Sequence, residues 1–169
     1  EINGMTAIEP SSSLFTKLQM RAGGPGRRFE EMQFEDYPLA NKHDVVLMNP
    51  PYGVGGKTAM EHVAKAFKHL NEGGRVIAII PDGPAMDKRL DAWLADKEIN
   101  GAAVVTGEVK LPSVAFGRAG TNVRTRVVVI DKVTRAQMRE KMPQKVTIDL
   151  SGEESIGGFL SLSDTPRRL

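Results

Sequence analysis

Four consecutive residues, Asn49-Pro50-Pro51-Tyr52, carry the clearest chemical signal in the chain. They set an amide, two rigid rings and a phenol directly after the apolar run Val45-Val46-Leu47-Met48. A continuous apolar run fits a parallel strand covered on both faces, and prolines cannot extend a central ladder because they have no N–H to donate. The expected strand therefore stops at Asn49. Its polar and aromatic side chains are delivered at the carboxyl end, where open α/β sheets bind ligands. Asn49 to Tyr52 is thus the expected active site. The next segment, Gly53-Val54-Gly55-Gly56-Lys57-Thr58, ends in Gly-Lys-Thr as a triphosphate-binding loop does, yet the first glycine of that pattern would fall on Pro51. It reads instead as a glycine-rich loop beside the site, with Lys57 available to a phosphate.

The elements that must position this tetrapeptide alternate between strand and helix. Met5 to Glu9 reads as a strand with an acid at its tip, followed by Pro10 and three serines able to cap a helix; Leu14, Phe15 and Leu18 recur at helical spacing until Gly23-Gly24. A glycine- and arginine-rich loop leads into a short strand near 28–32, and Phe34 to Pro38 sets acids beside aromatics. After the site, Met60, Val63, Ala64, Phe67 and Leu70 mark one helical face that Gly73-Gly74 is expected to stop. A buried strand over 75–80, an amphipathic helix over 86–97 and two strands near 102–109 and 126–131 come next. With no helix between them, the last two predict an antiparallel pair at a sheet edge. An exposed helix is expected over 134–142, a short strand over 145–150 and a polar tail over 151–169.

The 169 residues suffice for one domain, and 40% hydrophobic with 26% charged is an ordinary composition for a globular chain. No apolar run approaches the ~20 residues that span a bilayer, and no signal-peptide pattern opens the chain, so a cytoplasmic location and no membrane partner are expected. The absence of cysteine removes disulfides, thiolate metal sites and cysteine nucleophiles, and three scattered histidines predict no metal site. The net charge of +2 does not by itself argue for nucleic acid. Arg27-Arg28, Lys110, Arg118, Arg124, Arg126 and Arg167-Arg168 fall in loop-like or edge-like stretches, where solvated surface is an equal reading for each. The chain opens on Glu1 and not on methionine, which marks a processed product or a piece of something longer.

Asn49-Pro50-Pro51-Tyr52 after an apolar strand resembles the signature of amino-group methyltransferases that use S-adenosylmethionine, especially the adenine-N6 DNA methyltransferases. Gly73 to Pro81, then Leu111-Pro112, Phe116, Gly120-Thr121, Thr125 and the closing Val-Val-Val-Ile-Asp-Lys extend the likeness. Together they are similar to the catalytic half of type I-like restriction-modification methylases and of phage or plasmid antirestriction methylases. The resemblance covers roughly residues 5 to 132, and implies a catalytic core over 1–132 with an extension over 133–169. It implies an α/β fold: a Rossmann-like class I methyltransferase sheet, mostly parallel with an antiparallel edge pair. It also implies methyl transfer from S-adenosylmethionine to the N6 amine of adenine in DNA, on a base flipped out of the duplex. Asn49, Pro50, Pro51 and Tyr52 would be the catalytic residues, with Asn49 also near the cofactor. Glu9 would bind the cofactor ribose and Asp36, or else Glu35, the cofactor adenine. Phe116 would clamp the flipped base alongside Tyr52, with Lys57 and Arg124 on the nucleic acid. Plain structural roles stand beside these: Glu9 as a partner of the helix N-terminus, Asn49 as a turn residue before proline, Phe116 as core.

An exocyclic amine conjugated to the adenine ring is a poor nucleophile. Acceptors such as the Asn49 side-chain oxygen and the Pro50 carbonyl suit the task of holding its hydrogens, while the prolines preset the geometry. The lack of cysteine excludes carbon-5 cytosine methylation. The same tetrapeptide also occurs in methyltransferases acting on RNA or on a protein glutamine, and a degenerate module that binds nucleic acid or assembles with other subunits is the non-enzymatic alternative. One part of the pattern is missing. The glycine-rich cofactor loop of the family, with the strand before it, should precede Glu9 and lie between the Glu9 and Asn49 strands. Either residues before Glu1 or another chain is expected to complete the sheet, because an interior gap would leave two rows of backbone groups unpaired.

Overall fold

A computed structural model of the chain describes residues 4–99, 101–112, 123–134, 136–137 and 144–152. The chain divides into two compact units, Glu1–Asn41 and Lys42–Leu169.

In the first unit, β1 (Met5–Ile8) and β2 (Arg27–Glu30) pair in parallel, joined by helix α1 (Ser12–Ala22). The helix starts without the serine cap expected of it: Ser11 at the N-cap makes no side-chain capping bond. The carboxylate of Glu9 instead accepts the Ser11 N–H at 2.9 Å, bringing negative charge to the helix N-terminus. Gly23 ends the helix, donating its N–H to the Gln19 carbonyl at 2.9 Å; a β-carbon there would lie 2.8 Å from that oxygen.

The second unit holds a five-stranded sheet in the order β3-β4-β6-β5-β7. Its strands are β3 (His43–Met48), β4 (Leu70–Pro81), β5 (Ala103–Lys110), β6 (Thr125–Lys132) and β7 (Val146–Asp149). Helix α2 (Lys57–Lys68) returns the chain from β3 to β4, and α3 (Pro84–Leu94) follows β4. The pairs β3–β4 and β5–β7 are parallel, and β6 alone runs against both its neighbours, β4 and β5. The expected antiparallel pair is therefore present, although β7 lies outside it and β6 sits inside the sheet. Gly73-Gly74 does not end a helix: α2 stops at Lys68, where Lys65 and Lys68 complement its carboxyl end, and both glycines fall within β4. The helix expected at 134–142 begins with a reciprocal capping pair, in which Thr134 N–H donates to Gln137 Oε1 at 2.8 Å and Gln137 N–H to Thr134 Oγ1 at 3.2 Å. Most of that helix and of the polar tail lies outside the described residues.

One face of the sheet is dry. Val76, Ala78 and Ile80 of β4 stand opposite Ile130, Val128 and Arg126 of β6, and all six are buried. Helix α2 packs on β4 and α3 packs on α2, with Met60, Val63 and Phe67 of α2 and Met86 and Leu90 of α3 also buried. The two helices meet where the rings of Phe67 and Trp93 cross edge-to-face at 5.3 Å. The other face is not covered in this way. Ile77, Ile79, Val127 and Val129 are half-exposed, and on β3 Val45 and Leu47 are 54% and 73% exposed. This corrects the expectation that the apolar strand is covered on both faces: among the described residues β3 is an end strand, paired with β4 alone.

The one-sided packing predicts a large asymmetry in mutational cost. Ile80→Ala should destabilise the chain by roughly 2–5 kcal/mol in urea unfolding, through lost burial and a cavity. Leu47→Ala should stay within about 0.5 kcal/mol. Equal losses would contradict it.

Candidate functional site

Strand β3 is parallel to β4 with Met48 beside Ala78, so the chain leaves the sheet at its carboxyl end with Asn49. Alternation along the strand puts Asn49 on the face of Leu47, and the two border a shallow, open apolar depression with Met48, Ile77, Ile79 and Val127. Asn49 itself is exposed. Pro50 turns the other way and is buried, Pro51 is exposed and Tyr52 is half-buried.

Beyond Tyr52 the backbone takes three left-handed glycines. Gly53 has φ of 65°, Gly55 57° and Gly56 75°, the last as the N-cap of α2. A side chain could not be fitted here. A β-carbon on Gly53 would overlap the Thr58 side chain and come 3.1 Å from its backbone nitrogen, and one on Gly56 would lie 2.7 Å from Sδ of the buried Met86. The Tyr52 carbonyl accepts the Ala59 N–H at 3.3 Å, and Arg89 Nε donates to the Gly55 carbonyl at 2.9 Å. These glycines are explained by close packing of a tight turn on α3, with no phosphate required. Lys57, the first residue of α2, is exposed and lies 3.9 Å from Glu61 one turn on. Burial pushes the Tyr52 phenol above the ordinary tyrosine value, since the phenolate is the form that loses most by leaving water.

Arg124 is exposed at the same end of the sheet: its carbonyl accepts the Asp82 N–H at 2.8 Å, directly after β4. Phe116 lies outside the described residues. Glu9 and Asp36 belong to the first unit. Glu9 is half-buried at the tip of β1, and Asp36 is exposed on the single 3-10 turn Phe34–Asp36, with Glu35 also exposed beside it. Asn49 to Tyr52, Lys57 and Arg124 belong to the second unit, so the residues expected to bind cofactor and those expected to bind the target base fall in separate compact units.

Arg126 is a correction. Its side chain is 6% exposed, against the equal expectation of solvated surface, and three carboxylates face it: Asp87 at 2.5 Å, and Asp82 and Glu108 each at 3.4 Å. Lys145 pairs with Glu108 from outside. A charge opening the run Arg126-Val127-Val128-Val129-Ile130, with an acid inside the apolar strand opposite, was the available sequence signal for this cluster. Among the described residues no group of three or more histidines, cysteines and acids is arranged to hold a metal, and no helix is long and apolar enough to cross a membrane.

No family model and no curated protein matches the chain. Solved structures do. The chain is similar to a protein assigned as the modification subunit of a type I restriction enzyme from Vibrio vulnificus YJ016, at 18% identity and a TM-score of 0.65, covering 89% of this chain and 36% of that one. It is similar to one assigned as a class I S-adenosylmethionine-dependent methyltransferase from Listeria monocytogenes, at 13% identity and a TM-score of 0.60, covering 96% and 64%. A third, assigned as an RNA methyltransferase from Pyrococcus horikoshii, matches at 18% identity and a TM-score of 0.54, covering 79% and 64%. The chain therefore spans about a third to two thirds of the length of these structures. Its fold is the mixed, mostly parallel α/β fold of Rossmann-like class I methyltransferases.

Two outcomes are expected from the site geometry. Gly53→Ala should cost about 1–3 kcal/mol in unfolding experiments, because the left-handed backbone and the Thr58 contact both oppose a side chain. The raised Tyr52 pKa favours the neutral phenol in the fold, so its contribution is complete below the unfolded value near ~10 and is lost as pH rises through the higher folded value. Stability measured across alkaline pH should therefore fall less steeply in Tyr52→Phe.

Proposed function

We propose that the chain is the catalytic part of an adenine-N6 DNA methyltransferase that uses S-adenosylmethionine. One observation carries the reading: Asn49-Pro50-Pro51-Tyr52 stands at the carboxyl end of a parallel strand, on a rigid loop, in a fold shared with methyltransferases. The side-chain oxygen of Asn49 and the carbonyl of Pro50 accept the two hydrogens of the adenine amine, leaving its lone pair free to point away from the ring. The prolines hold both acceptors at fixed spacing, so no reorganisation is needed when the base arrives. Tyr52 stacks on the base, at ~1–3 kcal/mol. Extruding the base from a duplex costs a few kcal/mol, which stacking and the paired amine offset. Lys57 and Arg124, both exposed, neutralise phosphates on the DNA. Phe116 is the second ring proposed for the flipped base.

The residues proposed for the cofactor fit its chemistry. Ribose hydroxyls and an adenine amine are donors, and Glu9 and Asp36 offer carboxylate acceptors. The Glu9 carboxylate is already oriented by the Ser11 N–H and retains capacity for further donors. S-adenosylmethionine supplies an electrophilic methyl group, moved by direct in-line displacement with no covalent enzyme intermediate.

The two-stranded first sheet, and β3 with a neighbour on one side, support a further element of the proposal: a strand with the glycine-rich cofactor turn, from a longer form of this chain or another subunit, completes the sheet. With it, residues 1–132 form the methyltransferase core and 133–169 an extension. Location in the cytoplasm, with DNA and a restriction-modification partner, goes with this reading. A second reading, methylation of RNA, is favoured by the similarity to the Pyrococcus horikoshii protein; a protein glutamine is the remaining substrate class for the tetrapeptide.

Tritium transfer from S-adenosylmethionine should be seen with DNA, RNA and protein offered in parallel to a form carrying the upstream sequence. The expected acceptor is DNA adenine, with transfer abolished in Asn49→Ala and lowered roughly five- to 150-fold in Tyr52→Ala, the kinetic equivalent of the stacking energy. Undiminished transfer in Asn49→Ala sinks the assignment. Calorimetry showing no cofactor binding by that longer form points to an assembly or binding module instead.

A further inference from the structure

We propose that Arg89 and Arg126 are positioning residues which seat the loop carrying Asn49 to Tyr52 on helix α3. The inference rests on reading that tetrapeptide as the site, and its structural part can be measured without any activity.

The connection runs through named contacts. Arg126, buried at the start of β6, reaches Asp82 in the turn after β4 and Asp87 in the first turn of α3, so it ties the beginning of that helix to the sheet. The turn is held again by the Asp82 N–H on the Arg124 carbonyl, and by the Gly83 carbonyl accepting from both Met86 and Asp87 N–H at 3.0 Å. Farther along α3, Arg89 donates Nε to the Gly55 carbonyl, and Met86 fills the space that a side chain on Gly56 would need. The glycine turn therefore rests on the first two turns of α3 by one charged hydrogen bond and one close packing contact. That turn begins immediately after Tyr52, whose own carbonyl is fixed by Ala59 at the start of α2. A side chain with no proposed contact to the base thus sets where the amine acceptors stand.

Arg126 is a poor probe, because removing a buried guanidinium that three carboxylates share would destabilise the fold as well as the loop. Arg89 is exposed and its bond is separable. In glutamine, Nε2 stands the same number of bonds from the backbone as Nε does in arginine, so Arg89→Gln keeps a neutral donor within reach of Gly55 while Arg89→Ala removes it. In the full chain, hydrogen exchange at Gly56 and Ala59 should rise about tenfold in Arg89→Ala and stay near the parent rate in Arg89→Gln. Carbon-13 NMR of labelled tyrosine should show the Tyr52 pKa falling toward its ordinary value in Arg89→Ala alone. In the longer, cofactor-competent form, the alanine variant should lower kcat more than it raises KM for DNA. Unchanged exchange and titration in Arg89→Ala, or a glutamine variant as open as the alanine one, overturns the positioning role whatever the activity. Loosening in alanine, rescued by glutamine, upholds it; if no form then transfers methyl groups, it is the proposed reaction that fails and the seating of the loop that stands.

Discussion

Everything in the second unit depends on the burial of one sheet face under α2 and α3. The helices can reach β4 and β6 only because Val76, Ala78, Ile80, Val128 and Ile130 project to the same side without a polar interruption. Helix α2 is held on β4 through that dry layer, and the loop after β3 must reach its N-terminus. The residues from Asn49 to Gly56 make that connection with two prolines and three left-handed glycines, the last of them against Met86. The chemistry proposed for Asn49 is thus a by-product of how tightly two helices pack on a sheet.

Polar pairs define the two ends of the same layer. At the end away from the site, Arg75 and Asp131 stand opposite each other on β4 and β6 and pair through two parallel bonds, with the Thr106 hydroxyl donating to the same carboxylate from β5. The bidentate bond holds the Arg75 guanidinium still further above its ordinary range. At the site end, Arg126 plays the equivalent part inside the fold, with acids from the turn after β4, α3 and β5. A slip of β6 by one residue would move both arginine pairs to the wrong face. Register is therefore set by charge at the ends as well as by alternation in the middle.

Much of this was legible in the residues. Alternating apolar runs with glycine and proline punctuation announced β1 to β7 and α1 to α3, though not the 3-10 turn at Phe34–Asp36 nor the start of β4 at Leu70, and the two prolines after Asn49 marked where β3 must stop. What local pattern could not convey was the neighbourhood. Val45 to Met48 is apolar throughout, as a strand covered on both sides would be, yet pairing and covering are tertiary facts, and Val45 and Leu47 stand exposed. Arg126 failed for the same reason: a guanidinium is read as surface unless its carboxylates, 39 to 44 positions earlier for Asp87 and Asp82 and 18 for Glu108, are known to converge on it. Gly73-Gly74 misled because glycine marks helix ends and irregular strands alike; here Gly74 is buried, and a β-carbon on it would lie 2.9 Å from the Asp44 carbonyl.

The one-sided pairing of β3 bears on behaviour in concentrated solution. Among the described residues β3 pairs with β4 alone, and a free flank with exposed aliphatic side chains is a template on which a strand can add, be it the completing strand proposed above or one from a second molecule. The brake lies just past the strand's end. Pro50 and Pro51 offer no N–H to an incoming strand, so any intermolecular ribbon nucleated here is cut off after a few residues. The rings that give the loop its shape thus also limit how far a strand added at this flank can run.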